Sequence, residues 1–515
     1  MASVATVAAF PFDNSFARDL EGFYTPWRPV AAPAPRLLFF NRSLAAELGL
    51  DVASLDEAAL AETFAGNALP DGAEPLAQAY AGHQFGGFSP RLGDGRALLL
   101  GEVIDRKGVR RDIAFKGSGR TPFARGGDGK AAVGPMLREV LLGEAMHALG
   151  IPTTRALAVV ATGEPVYREQ TLPGAVLTRV AASHIRVGTF EFYAARGELE
   201  RVRKLAEYTI ARHYPDLAAS PQPILALLQA VAERQAALIA QWMNVGFIHG
   251  VMNTDNMAIS GETIDYGPCA FMEAYDPAAV FSSIDGHGRY AFGNQPDIAA
   301  WNLARLAETL LPLLSDDQQK AVATATEVLV SFPVQYRSQL LRGQRAKLGL
   351  RRNEPDDDGA DAALADDWLK LLHAGGVDFT LGWRRLADAA AGDEAPLRAL
   401  FSDAEVGTEE RATEPLGAWL VRWKARCASE EGAGQGAAMA GERARTMRSV
   451  NPIVIARNHR VEEALAAASN EGDLGPFERL LEALRTPYDE TPEMAAYAEP
   501  APAAVTASYR TFCGT

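Results

Sequence analysis

Three groups of side chains in this chain have the types and spacing to do chemistry. Lys116 ends the apolar run DIAFK, and a cation there is costly unless it has a partner or faces a cleft. Glu139 lies in a helical pattern that opens at Pro135, on one face with Leu142, Gly143 and Met146, and a carboxylate on an apolar face also needs a partner. The second group lies in HGVMNTDNMAISGETIDYG, residues 249–267. Asn256 and Asp265 flank a predicted hairpin, MAIS–GE–TIDY (257–266), whose return would bring an amide oxygen and a carboxylate to one point. Such oxygens, completed by phosphate oxygens and waters, suit Mg²⁺. Asp255 beside them is available as a general base.

The third group is made of glycines and cations. Gly93-Asp94-Gly95-Arg96, Gly117-Ser118-Gly119-Arg120 and Gly126-Gly127-Asp128-Gly129-Lys130 let backbone N–H groups approach phosphates, although turns are the commonest reason for each cluster alone. Arg179 and Arg186 add forked guanidinium groups suited to phosphate. A strand Lys paired with a helix Glu is how kinase-like folds fix an ammonium against ATP phosphates, and Asp265-Tyr266-Gly267 stands where protein kinases have Asp-Phe-Gly. Their base Asp, two residues after the loop histidine, is here Val251 after His249, which argues against ordinary γ-phosphoryl transfer.

The elements that must position these residues follow from periodicity. Residues 97–103 and 112–116 read as a strand hairpin, 135–150 as a helix, and 155–162 and 174–180 as further strands. After about residue 188 the pattern turns helical, over 190–214 and 222–246 and through Leu303, Leu306 and Leu310 to a stop at Pro312. Ser315 and Gln318 form a capping-box pattern. The basic run from Arg337 to Arg352 and the acidic one from Glu354 to Asp367 read as a solvated surface segment. Residues 1–80 read as an N-terminal wrapping segment, 81–187 as a small β-rich part, 188–350 as a larger helical part, and 351–515 as a helical C-terminal extension.

The 515 residues carry 65 acidic and 50 basic side chains, a net charge of −15, which disfavours sequence-independent nucleic-acid binding. Hydrophobic residues at 48% and charged ones at 22% exclude a disordered or collagen-like chain. Three cysteines, Cys269, Cys427 and Cys513, are too few for a disulfide framework and suit a reducing, cytoplasmic setting. Cys513 reads either as an exposed residue without a role or as a reachable redox thiol. No apolar stretch reads as reaching the roughly 18 residues of a membrane span, so no membrane partner is expected.

Beyond these readings, the stretches 79–96, 112–157, 177–193, 246–277 and 457–465 resemble the protein adenylyltransferases of the selenoprotein O (SelO, or YdiU) type. The resemblance implies an α+β, bilobal protein-kinase-like fold with a β-rich N-lobe, a larger helical C-lobe and a C-terminal extension. It also implies ATP bound in flipped orientation and AMP transferred to Ser, Thr or Tyr hydroxyls of protein partners. On that reading ATP is contacted by Gly93, Gly95, Arg96, Lys116, Asp128, Gly129, Arg179, Arg186 and Asp265, and Glu139 orients Lys116. Asn256 and Asp265 hold Mg²⁺ or Mn²⁺, and Asp255 accepts the proton. Cys269 and Cys513 match the family's redox pair in part, since eukaryotic members end in Cys-x-x-selenocysteine. The competing readings are a conventional protein kinase and a non-catalytic ATP-binding scaffold, a pseudokinase.

Overall fold

Eight β-branched or apolar runs pair edge to edge: β1 (Tyr24–Pro26), β2 (Arg36–Phe40), β3 (Leu76–Gln78), β4 (Ala97–Ile104), β5 (Arg110–Lys116), β6 (Ala131–Ala132), β7 (Arg155–Tyr167) and β8 (Thr171–Ala181). In this computed structural model, which describes residues 10–351, 357–402, 415–430 and 436–512, they form one antiparallel sheet. Its order is β1-β3-β4-β5-β8-β7-β2, with β6 beside β8. Three strands therefore come from the first 80 residues. Strands β7 and β8 continue past the ends expected from sequence, because Pro165 and Pro173 face one another beside a shift in register, where the ladder tolerates them.

The sheet is covered on both sides. Phe115, Leu157, Val160 and Val180 pack against Leu44, Leu60 and Phe64 from two short N-terminal helices. Helix α1 (Val133–Ala148) crosses the other face through Met136, Leu137, Val140 and Leu141. Alternation along β5 turns Phe115 to the first layer and Lys116 to the second, where α1 carries Glu139.

Helices α2 (Val187–Ala194), α3 (Leu199–His213), α4 (Pro223–Val245), α5 (Gln295–Leu314) and α6 (Gln318–Lys347) follow the sheet. The single helix expected over 190–214 is broken, since Gly197 turns left-handed at φ 69° between α2 and α3. Helix α4 has the length and mean hydropathy of a membrane span despite its polar interruptions, but Leu227, Leu228, Val231, Ala236 and Ile239 are buried in the helical layer. Pro312 lies inside the last turn of α5 rather than stopping it. The cap of α6 is Asp317, whose carboxylate accepts from the N–H groups of Gln319 and Lys320, not Ser315.

The junction of the basic and acidic runs, residues 352–356, lies outside the described residues, but the runs on either side are not wholly solvent-facing. Asp361 is fully buried and accepts from Arg345 Nε and Arg426 Nε at 2.7 Å each. Charge runs hide such pairing because the partner Arg426 is 65 residues away. Beyond them, helices gather around Trp368, Trp383, Trp419 and Trp423 in a second core.

Sheet and helices are joined by a buried ion cluster. Glu102 on β4 lies opposite Asp112 on β5 in register, two like charges side by side. Arg212 of α3 donates to both carboxylates at 2.5 Å, and His184 adds a bond to Asp112 at 2.8 Å. Burial would raise the pKa of Asp112, but Arg212 and His184 hold it down at about 2. Replacing Arg212 by Met is expected to cost ~3–5 kcal/mol in urea unfolding, because two carboxylates stay buried without their cation.

Candidate functional site

Between the sheet and the helices lies a cavity of about 310 Å³ whose lining includes Lys116, Arg179, Arg186, Asp255, Asn256 and Asp265. Lys116 is the last residue of β5, paired in register with Leu177 of β8, and Arg179 follows two residues along the same face. Arg186 sits at the start of α2. Sequence positions spread over 149 residues therefore meet at one carboxylate.

That carboxylate is Asp265. Its Oδ1 accepts from Lys116 Nζ at 2.7 Å and Arg179 Nη1 at 2.6 Å, and its Oδ2 from Arg186 Nη1 at 2.8 Å. Lys116 also donates to Glu139 Oε1, and Arg179 lies 3.8 Å from Glu139 Oε2. Three cations thus face two carboxylates, an excess of positive charge that an anion entering the cavity would complete. Burial pushes the Asp265 pKa up, but Arg179, Lys116 and Arg186 outweigh it and hold the carboxyl well below its usual range. Asp265 itself stands at φ 63°, in the left-handed region. Behind it, Arg179 Nε donates to His184 Nε2 at 3.3 Å, so the cationic end of the cavity is tied to the ion cluster at Asp112.

Asp255 has a different environment. Gln84 Nε2 reaches its Oδ2 at 3.3 Å, while Oδ1 is buried without any hydrogen-bond partner. Burial raises its pKa to about 6 despite the opposing charge of Arg186. Arg186 Nη1 also donates to the Asp255 backbone carbonyl at 2.6 Å. Asn256 donates its Nδ2 to the carbonyl of Val251 at 2.9 Å, which leaves the amide oxygen for other partners.

Residues 257–266 do not form the expected hairpin. Ala258 bridges to Arg186 and Thr263 to Thr153, so each arm pairs with a different neighbour. Asn256 and Asp265 still reach one cavity, brought there by those two bridges. His249 is buried and stacks on Trp242, its Nε2 bonded to Ile264 O at 2.9 Å.

A second cavity of about 520 Å³ shares Tyr80, Gln84, Gly95, Arg96 and Asp255 with the first. Gly93, Asp128 and Gly129 line only this one. Asp128 is held at its rim by two bonds from Arg168, at 2.8 and 3.0 Å, and Lys130 pairs with Glu164 instead of facing Asp265. At Gly129, φ is 70° and a Cβ would lie 2.2 Å from Gly119 O, so backbone approach alone requires glycine there. Asp94 lines the first cavity, its carboxylate held by the N–H of Gln78 at 2.9 Å.

Sequence reasoning missed Tyr80, Gln84 and Asn253. Tyr80 lies under Arg186, 4.9 Å from guanidinium carbon to ring centroid. Gln84 sits 171 residues from Asp255, and no local pattern links the two. Hard oxygen donors from Asp265, Asn256 and the unpartnered Asp255 Oδ1 fit a divalent cation that arrives with phosphates. They do not suit one held by protein alone, since both Asp265 oxygens are already paired. Among the described residues no group of three His, Cys, Asp or Glu is arranged to hold a metal ion by itself.

Near the cavity the chain end returns. Thr511 N donates to Phe281 O at 2.8 Å and Thr511 Oγ1 to Pro268 O at 2.7 Å, one residue from Cys269. Cys269 is buried, and burial raises its thiol pKa to about 11 against the pull of Arg138. Cys513 lies outside the described residues.

Residues 7–485 match the family described as protein adenylyltransferase SelO. A protein nucleotidyltransferase YdiU of Cereibacter sphaeroides is 62% identical over 98% of this chain and 100% of its own length. The proteins of that name from Chromobacterium violaceum and Rhizobium johnstonii are 62% and 57% identical, over 96% and 99% of this chain and 99% and 98% of theirs. With the family match spanning residues 7–485 and relatives of this identity covering nearly the whole chain, the chain belongs to the SelO family of protein adenylyltransferases.

Proposed function

We propose that the protein transfers the AMP group of ATP to Ser, Thr or Tyr hydroxyls of acceptor proteins and releases pyrophosphate, on a bilobal kinase-like frame. The observation that carries this is the division of labour in one cavity. Lys116, Arg179 and Arg186 crowd its Asp265 end, and Asp255 stands apart with a raised pKa and an unpaired oxygen. ATP enters triphosphate-first, so its terminal phosphates meet the three cations and its α-phosphorus stays near Asp255. Gly93, Gly95, Arg96, Asp128 and Gly129 face the remainder of the nucleotide. The acceptor oxygen bonds to the α-phosphorus, the bond from that phosphorus to its bridging oxygen breaks, and the hydroxyl proton passes to Asp255. Fixed cations stabilise charge that grows on the leaving pyrophosphate. Asn256 and Asp265 would hold Mg²⁺ or Mn²⁺, which supplies further neutralisation of the triphosphate.

Labelled ATP tests this. Label from the α-phosphate is expected on acceptor protein; label only from the γ-phosphate would establish a kinase, and neither would leave a scaffold. Val251 at the kinase base position favours the first outcome.

A Cys269–Cys513 disulfide that ties the tail across the segment after Gly267 would gate the site. The position of Thr511 against Pro268 supports it. Peptide mapping of oxidised protein is expected to find that cross-link, and its absence would remove the gate.

A further inference from the structure

The mouth of the Asp255 cavity carries apolar side chains that folding leaves uncovered. Phe85 is 40% exposed, Phe88 42% and Ile284 49%. Phe85 and Ile284 both line the cavity that holds Asp255. Phe85 stands in the left-handed region at φ 51°, which a bulky side chain adopts only when its surroundings hold it there. The hold is visible, since its N–H donates to Asn253 Oδ1 and Tyr290 Oη at 3.1 Å each. One edge of the ring packs on Tyr290 at 5.2 Å between centroids, and the rest stays open to solvent.

The hairpin that bears both phenylalanines, Gly82–Gln84 and Gly87–Ser89, sits directly on the catalytic loop. A Cβ at Gly82 would come within 2.7 Å of Asp255 Oδ1, so only glycine lets the two segments approach this closely. Beside the hairpin tip, Arg289 lies with its guanidinium carbon 4.9 Å from the Trp301 ring centroid and 5.7 Å from that of Tyr290. Its Nε is buried without a hydrogen-bond partner, and no carboxylate among the described residues pairs with it. In a chain of net charge −15, an arginine without an acid, 3.7 Å from where a Cβ at Gly86 of the hairpin tip would lie, can take one from outside. Aromatic rings and arginine are also the side chains that dominate protein interfaces.

We propose that this surface seats the acceptor protein. It takes an extended segment with an apolar side chain beside the hydroxyl, packed on Phe85 and Phe88, and an acidic side chain that meets Arg289. The fate of the hydroxyl rests on the AMP-transfer reading above; the binding preference does not.

The test uses two fluorescent peptides, each with a central Ser and a neighbouring Phe, one carrying Glu and the other Lys in the flanking position. Anisotropy is read with the full chain, Mg²⁺ and an ATP analogue that has a methylene between its α- and β-phosphorus. The Glu peptide is expected to bind about tenfold more tightly than the Lys peptide, and Arg289→Glu to reverse that order. A gain of affinity for the Lys peptide is something a misfolded variant could not show. Equal binding of both peptides by the unaltered protein, or an order unchanged in Arg289→Glu, overturns the proposal. The same peptides with α-labelled ATP separate the two readings. Preference without label keeps the docking surface and removes AMP transfer, whereas label without preference does the reverse.

Discussion

Asp265→Asn is expected to lower AMP transfer by about a thousandfold or more while leaving the fold in place. Among the described residues the carboxylate is the only group that bonds Lys116, Arg179 and Arg186 at once. Without its charge, those three cations repel one another with only Glu139 in contact and Asp94 nearby to oppose them. A single misplaced transition-state donor costs about 10²–10³ in rate, and here several move together. Asparagine is the right replacement because Asp265 stands at φ 63°, where Asn is tolerated and most side chains are not. Circular dichroism should match the unaltered protein, and isothermal titration should show metal-dependent ATP binding lost. Transfer within threefold of the original would remove Asp265 from the site.

Asp255→Asn is expected to reduce turnover by about 10²–10⁴, the usual range for a lost general base, and to change ATP affinity by no more than a few-fold. The pH dependence follows from its environment. Burial raises the pKa to about 6, and the group accepts a proton only when ionised. Turnover in the unaltered protein should therefore rise as pH increases through about 6 and then level off. In the Asn variant that rise should vanish. Equal losses of binding and turnover would give Asp255 a structural or metal role instead.

Much of this site was legible in the sequence because its groups are individually costly. A lysine that ends an apolar strand and a glutamate on an apolar helix face each demand a partner, and they found one another. The strands around them were equally clear, since β4 and β5 carry short apolar runs joined by a basic turn with a glycine. What failed was local pattern standing in for tertiary contact. Residues 257–266 have the alternation of a hairpin, yet their backbone groups pair with Arg186 and Thr153. Asp361 looks like surface charge, and only Arg345 and Arg426, distant in sequence, explain its burial. Gln84 and Tyr80 carry no signal of their own. Their positions matter only after the chain has brought residue 255 beside them.

The bond from Arg212 to both β4 and β5, continued through His184 to Arg179, also constrains the order of departures. A seam clamped there would hold the Arg179 end of the cavity fixed behind a triphosphate. On the proposed tail-first insertion of ATP, pyrophosphate is the deeper of the two products, and the modified acceptor leaves ahead of it. The stranded diphosphate then occupies the cations that the next ATP requires, and free pyrophosphate in the surroundings competes for them as well. How fast the catalyst is readied for another round is thereby tied to how quickly pyrophosphate is destroyed elsewhere.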